Sequence, residues 1–350
     1  MIPKNLLIVR TDRIGDVVLS LPLAELIKKH YRECTITFLV RNYTKEILEN
    51  NPFIDNTIIL KENNNKVPIL KNVEVIKDLN FDSSIVVYPT FQTALIVFLS
   101  GIKNRIGTGY RWYSFLFNNK IYEHRKFAER HELEYNVNLL KAFGIDEKVK
   151  PENVNFNLIV NKKSEEKIKN LFNNYGINND ELIIIVHPGS GGSAVDLPVS
   201  KFKELMEQLS GEDKFQILLT GNKSEVKMCE ELKINNKIKN FAGILSLSEL
   251  IALIDRASIF VANSTGPLHI AAALGKYTIG FYPNLLVCSA KRWGPYTNKK
   301  VVFSPEKECS DCEREQCTKS ECMNTIEVKK VVNEIDKIYN LISIKGNNNV

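Results

Sequence analysis

The residues best suited to chemistry sit in short polar runs that follow apolar, β-prone stretches. The most informative run is Val261-Ala262-Asn263-Ser264-Thr265-Gly266-Pro267-Leu268-His269, backed by Ile270-Ala271-Ala272-Ala273-Leu274-Gly275. Residues 258–262 read as a strand. Gly266 supplies backbone freedom, and Pro267 suits a first helical position, where its missing N–H costs nothing. Residues 270–274 are good helix formers, and Gly275 is placed to end the helix. Such a turn aims backbone N–H groups at one point, where the helix dipole favours negative charge. Ser264, Thr265 and His269 add side-chain donors. The chemistry expected is diphosphate binding. Alone, the run reads first as an ordinary strand-to-helix connection. Its companions change that balance.

Three further runs occupy equivalent places. Ile8-Val9-Arg10-Thr11-Asp12-Arg13-Ile14-Gly15-Asp16 offers two carboxylates and two cations after a first strand. Asp16 can take a proton from a sugar hydroxyl as that oxygen attacks. The competing reading is that Asp16 only caps the next helix. His187-Pro188-Gly189-Ser190-Gly191-Gly192-Ser193 can wrap an anion in backbone N–H groups, or be a plain glycine turn. It lacks the Lys-Ser/Thr ending of a P-loop, and no G-x-G-x-x-G occurs anywhere in these runs. Thr220-Gly221-Asn222-Lys223-Ser224-Glu225 places Glu225 to accept ribose hydroxyls, or to stand solvated in a first helical turn.

The elements that must hold these runs alternate. Strands are expected at 5–10, 35–40, 57–60, 84–88 and 104–107. A helix is expected to reach residue 30 from a cap at Asp16 or Ser20, with others at 44–50 and 93–100. Polar residues around 144–161 mark a boundary. The pattern then restarts, with helices at 164–175, 200–209, 224–232 and 248–255. The matching strands fall at 182–187, 215–220, 259–262 and 278–282. A helix over 328–342 closes the chain, and the tail from 345 reads as disordered. This alternation predicts an α/β protein of doubly wound parallel sheets. The expected division is 1–155, 156–325 and a closing segment 326–350. Ligands of such sheets bind at the carboxyl edge. A donor held by one domain, facing a base and an acceptor on the other, suits group transfer.

Composition agrees with a soluble globular chain of about two domains: 350 residues, 44% hydrophobic, 25% charged. The net charge of +6 fits an anionic ligand or an anionic membrane surface without demanding nucleic acid. No secretory signal is visible, so the expected location is cytoplasmic, with peripheral contact at the inner face of the cytoplasmic membrane.

In combination and order, the stretches LLIVRTDRIGDVVLSLPLAELIKKHY, FDSSIVVYPTFQTALIVFLSGIKNRIG, HPGSGGSAVDLPVSKFKEL, LLTGNKSE and FVANSTGPLHIAAALG carry a resemblance. Across most of residues 5–340 the chain resembles glycosyltransferase family nine, the ADP-heptose:lipopolysaccharide heptosyltransferases. The resemblance implies a GT-B fold, two Rossmann-like domains facing a central cleft. It also implies inverting transfer that requires no metal. The donor would be a nucleotide-diphosphate sugar, ADP-heptose, and the acceptor a lipopolysaccharide core or another surface glycan. Asp16 matches the general base. Ser190, Gly191 and Ser193 match the diphosphate loop, and Glu225 the ribose-binding acid. Leu245 falls beside the adenine, and Thr265, Gly266 and His269 match the second phosphate-side motif. Two positions depart from the family pattern. Ser264 stands where many members have Asp, and Val195-Asp196-Leu197-Pro198 replaces a run with a cation at its head. Asp196 would repel a diphosphate if it pointed inward. These departures motivate an alternative, a nucleotide-sugar-binding protein of the same fold that catalyses no transfer.

Arg13, Arg105 and Arg111 are candidate contacts for an anionic acceptor, or members of a solvated rim. Cys309, Cys312, Cys317 and Cys322 are spaced C-x2-C-x4-C-x4-C. Four thiols could hold a structural zinc in a tetrahedral site, or form a loop of reduced thiols. The transfer chemistry needs no such metal.

Overall fold

The computed structural model describes residues 2–64, 66–178, 181–211, 214–306 and 322–347. The chain divides into two units, Met1–Ile159 and Val160–Val350.

In the first unit the strands are β1 (Asn5–Val9), β2 (Thr35–Val40), β3 (Asn56–Ile59), β4 (Ser83–Val86), β5 (Asn104–Thr108) and β6 (Asn119–Ile121). In the second the strands are β7 (Leu182–His187), β8 (Phe215–Leu219), β9 (Lys239–Asn240), β10 (Ile259–Asn263), β11 (Tyr277–Phe281) and β12 (Lys300–Phe303). Each set makes one sheet, ordered β3-β2-β1-β4-β5-β6 and β12-β11-β10-β7-β8-β9. All the pairings are parallel, with Leu7 opposite Thr37 and Ser84, and Val261 opposite Val186 and Ile279. Both orders are the doubly wound 3-2-1-4-5-6, whose switch points lie between β1 and β4 and between β7 and β10. This is the Rossmann-like topology that the alternation predicts, twice over.

The central strands β1, β7 and β10 are largely apolar because both faces are covered. β4 and β10 are buried at every position, and β1 and β7 at every position after the first. On one face of the second sheet, Ile184 and Val186 pack with Phe202, Leu205 and Leu209 of the helix Val199–Ser210. Val331 and Ile335 of the helix Val328–Asn347 join the same core. In the first unit, Leu7, Val9 and Val86 pack with Ala94, Ile96 and Val97 of the helix Phe91–Leu99.

Several local expectations change. The segment after β1 is two helices, Ile14–Val18 and Pro22–His30, because Pro22 has no N–H to continue the first. Neither Asp16 nor Ser20 caps. The N-cap is Arg13, without a side-chain bond, and the Ser20 hydroxyl bonds back to the Asp16 carbonyl at 2.9 Å. The segment Asn42–Leu48 is a 3-10 helix. The closing helix runs to Asn347, past residue 345. The tail beyond 347 lies outside the described residues, and among them no helix is long and apolar enough to cross a membrane.

Candidate active site

In the first unit the loop after β1 is built on a buried cation. Arg10 is 1% exposed, so its charge must be met by protein groups. Its guanidinium hydrogen-bonds Asp16 and lies 2.8 Å from Asp12 Oδ1, 3.7 Å from Glu132 Oε1 and 3.3 Å from Asn136 Oδ1. The Asp12 contact is an ion pair without hydrogen-bond alignment. Burial alone would lower the Arg10 pKa, but Asp12, Asp16 and Glu132 offset it and hold the group above its ordinary value. For Asp12 the balance reverses. Burial pushes its carboxyl up, Arg10 pulls it back, and Asp16 pushes it further. Glu132 is shared with Arg125, and the Asn136 amide donates to the Leu19 carbonyl at 3.1 Å. Asp16 is thus fixed by a side chain six residues upstream and by a network from the helix Glu132–Asn138. Its side chain keeps 15% exposure, so an outside hydroxyl can reach it.

In the second unit, β7, β8 and β10 are neighbours, so their carboxyl-end loops meet. Gly191 and Gly192 have φ of +56° and +72°, a backbone that L side chains rarely adopt. Gly189 is held to glycine differently, because a Cβ there would meet Glu225 Oε1 at 1.9 Å. Ser193 N–H donates to the Ser190 hydroxyl and carbonyl, each at 3.2 Å, which closes the turn. Glu225 is buried rather than solvated. Its Oε2 accepts from Asn222 N–H at 2.7 Å in a capping box, while Oε1 faces Gly189. Asp196 does turn toward this loop. Burial pushes its carboxyl up to about 6, a Ser190 hydrogen bond lowers it, and Glu225 raises it. Asp196 Oδ1 is buried without a hydrogen-bond partner.

The loop is tied to the opening motif by Asn263, a residue whose role the sequence did not disclose. Fully buried at the end of β10, it accepts from Leu197 N–H at 2.9 Å and donates to the Pro188 carbonyl at 2.5 Å. One side chain therefore pins both ends of the 188–197 loop. Ser264 follows with its hydroxyl turned inward, donating to Tyr282, whose own hydroxyl donates to the Trp293 carbonyl at 2.8 Å. Thr265 is the N-cap of the helix Gly266–Ala273, and no side chain caps that helix. Pro267 is in its first turn, His269 is buried, and Gly275 ends it at φ +71°. The β8 loop is joined to the next turn by Gly243 N–H, which donates to the Gly221 carbonyl at 2.9 Å. Leu245, half-buried, stands in that turn ahead of the Ser246 cap. His187, buried and paired with Thr220 at 2.9 Å, is pushed down to about 4 by burial, so it is a neutral strut.

The remaining candidates lie elsewhere. Arg105 directs its guanidinium to the carbonyls of Leu116 and Ile102, at 2.8 and 2.6 Å. Arg13 and Arg111 are exposed. Cys309, Cys312 and Cys317 lie outside the described residues. Cys322 is half-buried, and among the described residues no group of three or more His, Cys, Asp or Glu could hold a metal ion.

Two switch-point loops, one carrying an Arg-anchored carboxylate and one glycine-rich, fit group transfer on two Rossmann-like units. Residues 69–323 match the family model for glycosyltransferase family 9 (heptosyltransferase). The chain is similar to a provisionally named glycosyltransferase of Haemophilus influenzae, 29% identical over 313 residues, covering 86% of this chain and 89% of that protein. Its fold matches the family 9 glycosyltransferase of Veillonella parvula, with a TM-score of 0.82, 17% identity, and 96% and 97% of the two chains covered. It also matches ADP-heptose lipopolysaccharide heptosyltransferase II of Escherichia coli, with a TM-score of 0.77, 18% identity, and 97% and 99% covered. The architecture is the GT-B fold of nucleotide-sugar transferases. The chain belongs to glycosyltransferase family 9, the heptosyltransferase family.

Proposed function

We propose that the protein moves a heptose or related sugar from ADP-heptose to a lipopolysaccharide core or other surface glycan, with inversion, at the inner face of the cytoplasmic membrane. The observation that carries this reading is the meeting of the β7, β8 and β10 loops, with Gly189 against Glu225 and Asn263 across the 188–197 loop. The E. coli relative of like fold is named for ADP-heptose and lipopolysaccharide, which supports the choice of donor and acceptor.

In this mechanism Asp16 accepts the proton of the acceptor hydroxyl as its oxygen bonds to the anomeric carbon. The bond from that carbon to the diphosphate breaks on the opposite face, and ADP leaves with the electron pair. Backbone N–H groups and hydroxyls of Ser190, Gly191 and Ser193, and the helix start at Thr265 and Gly266, meet the developing charge. His269 and Ser264 line that start. Glu225 receives the ribose, Leu245 lies beside the adenine, and Arg13 and Arg111 face the acceptor.

Incubation with ADP-heptose and core acceptors should release ADP, and Asp16→Ala should lower the rate by roughly 10²–10⁴-fold. Normal turnover by Asp16→Ala would remove Asp16 from the role of base. Tight binding of the donor with no transfer on any acceptor would instead support the binding-only alternative.

A further inference from the structure

Arg10 serves two aspartates at once. Its Nε lies 2.8 Å from Asp12 Oδ1, and its Nη2 hydrogen-bonds Asp16 Oδ1. Nε and Nη2 form the guanidinium edge that one bidentate carboxylate ordinarily spans. Here two carboxylates divide that edge, and their side chains come within hydrogen-bonding reach of each other. Asp12 leads into the helix Ile14–Val18 and Asp16 lies in its first turn, so a short stretch of chain holds both against Arg10. Other groups face the pair from the elements around it. From the helix Glu132–Asn138, Glu132 and Asn136 reach Arg10 at 3.7 and 3.3 Å, and Arg125 pairs with Glu132. From the segment Asn42–Leu48, Tyr43 Oη donates to the Asp12 carbonyl at 2.6 Å. Arg41, next to that segment, pairs with Glu62 at 3.1 Å, and Arg13, between the two aspartates, is exposed. Arg10 is thus divided among Asp12, Asp16 and Glu132.

The proposed transfer uses Asp16 alone. An aspartate hydrogen-bonded to a buried arginine is a weak base, because the cation favours its ionised form. A general base works best when its conjugate acid titrates near the working pH. Asp12 opposes Arg10 in this respect. Like charges in contact resist ionising together, and a proton taken up by one carboxylate turns it into a donor to the other. Asp12 Oδ1 is buried without a hydrogen bond, so the pair lacks a donor that a proton would supply. Burial pushes the Asp12 carboxyl up, Arg10 pulls it back, and Asp16 pushes it up again.

We infer that Asp12 and Asp16 act as one base that shares a single proton, with Asp12 the positioning residue that keeps Asp16 basic beside Arg10. The inference rests on the proposed transfer and deepens it. In the active form both carboxylates are ionised. The acceptor O–H bond breaks, its proton goes to Asp16, and Asp16 hydrogen-bonds it to Asp12. The electron pair left on the acceptor oxygen forms the bond to the anomeric carbon, and ADP leaves with the pair of the bond that breaks. The shared proton then passes to water at the exposed edge of Asp16.

The acid limb of kcat/KM against pH reads the pair. In the parent it should lie above the ordinary carboxylate range. Asp12→Asn removes a charge with little change of shape. It should move the limb down by about one pH unit or more and lower the plateau about tenfold, while the ADP-induced rise in Tm persists. An unmoved limb would overturn the inference whatever the rate, because lost packing alone leaves a titration where it was. A second measurement needs neither substrate nor that variant. With isotope-labelled aspartate carboxyls followed by NMR, the signal missing from Asp16→Asn belongs to Asp16. One other carboxyl, Asp12, should titrate at lower pH in that variant than in the parent. Remaining carboxyls that titrate in Asp16→Asn as they do in the parent would overturn the inference. Absence of transfer with every donor and acceptor tells against the proposed reaction alone, since the carboxyl titration is read on the free protein.

Discussion

Asp196 is the residue whose chemistry runs most against its surroundings. It stands beside the loop proposed to hold the diphosphate, and burial lifts its carboxyl from 3.8 to about 6. The folded protein therefore holds this proton more tightly than the unfolded chain does. The stabilisation is fullest below 3.8 and is lost as pH rises through about 6. Asp196→Asn should flatten that part of the stability profile, measured as Tm across the window. Above it, removal of a charge facing the diphosphate should tighten ADP binding by about tenfold, or ~1.4 kcal/mol, read by calorimetry. Unchanged affinity at pH 8 would mean that the carboxylate turns away when ADP binds. Local sequence marked Asp196 as a departure, but only the fold shows that it faces Ser190. The Arg10 network was less legible still. Its partners Glu132 and Asn136 are more than a hundred residues away, and local spacing carries no sign of them.

At the scale of elements, the runs around β7 and β10 were readable because buried central strands are apolar throughout and end in glycine, serine and proline. The strands that went unassigned, β6, β9 and β12, are sheet edges. β9 is the pair Lys239–Asn240, defined by its pairing with Leu218 and Leu219 rather than by any pattern of its own. The helix Ile69–Lys77 also went unassigned. It begins after Pro68 with no side-chain cap, and so lacks the usual start signal. The glycines of the 188–193 loop were legible as a group but not by their separate reasons. Gly192→Ala should cost about 1–2 kcal/mol through its backbone conformation. Gly189→Ala must displace Glu225, which should cost about 1–3 kcal/mol and weaken ADP binding as well. A second change, Glu225→Ala, should recover part of the stability lost in Gly189→Ala but none of that lost in Gly192→Ala. Urea unfolding of the single and double variants measures both couplings.

At the scale of the molecule, the proposed base, Asp16, belongs to one unit and the proposed donor loops to the other. Binding and turnover should therefore separate. ADP at a hundred times its Kd should stabilise the fold by about 2.7 kcal/mol, and Asp16→Asn should keep that stabilisation while losing turnover. Loss of the ADP-induced rise in Tm in Asp16→Asn would show that the carboxylate is needed for the donor itself.

The matching strand orders have one more consequence. β1 and β7 hold the same topological address, the first strand of a 3-2-1-4-5-6 sheet, and each hands its chain to a loop at the switch point. At that address the first unit keeps an arginine knotted to carboxylates, and the second keeps glycines with nothing beyond their own backbone to offer. The chain thus writes one scaffold twice and sets different groups at the same address, carboxylates tied to an arginine in one copy and a glycine-rich backbone turn in the other.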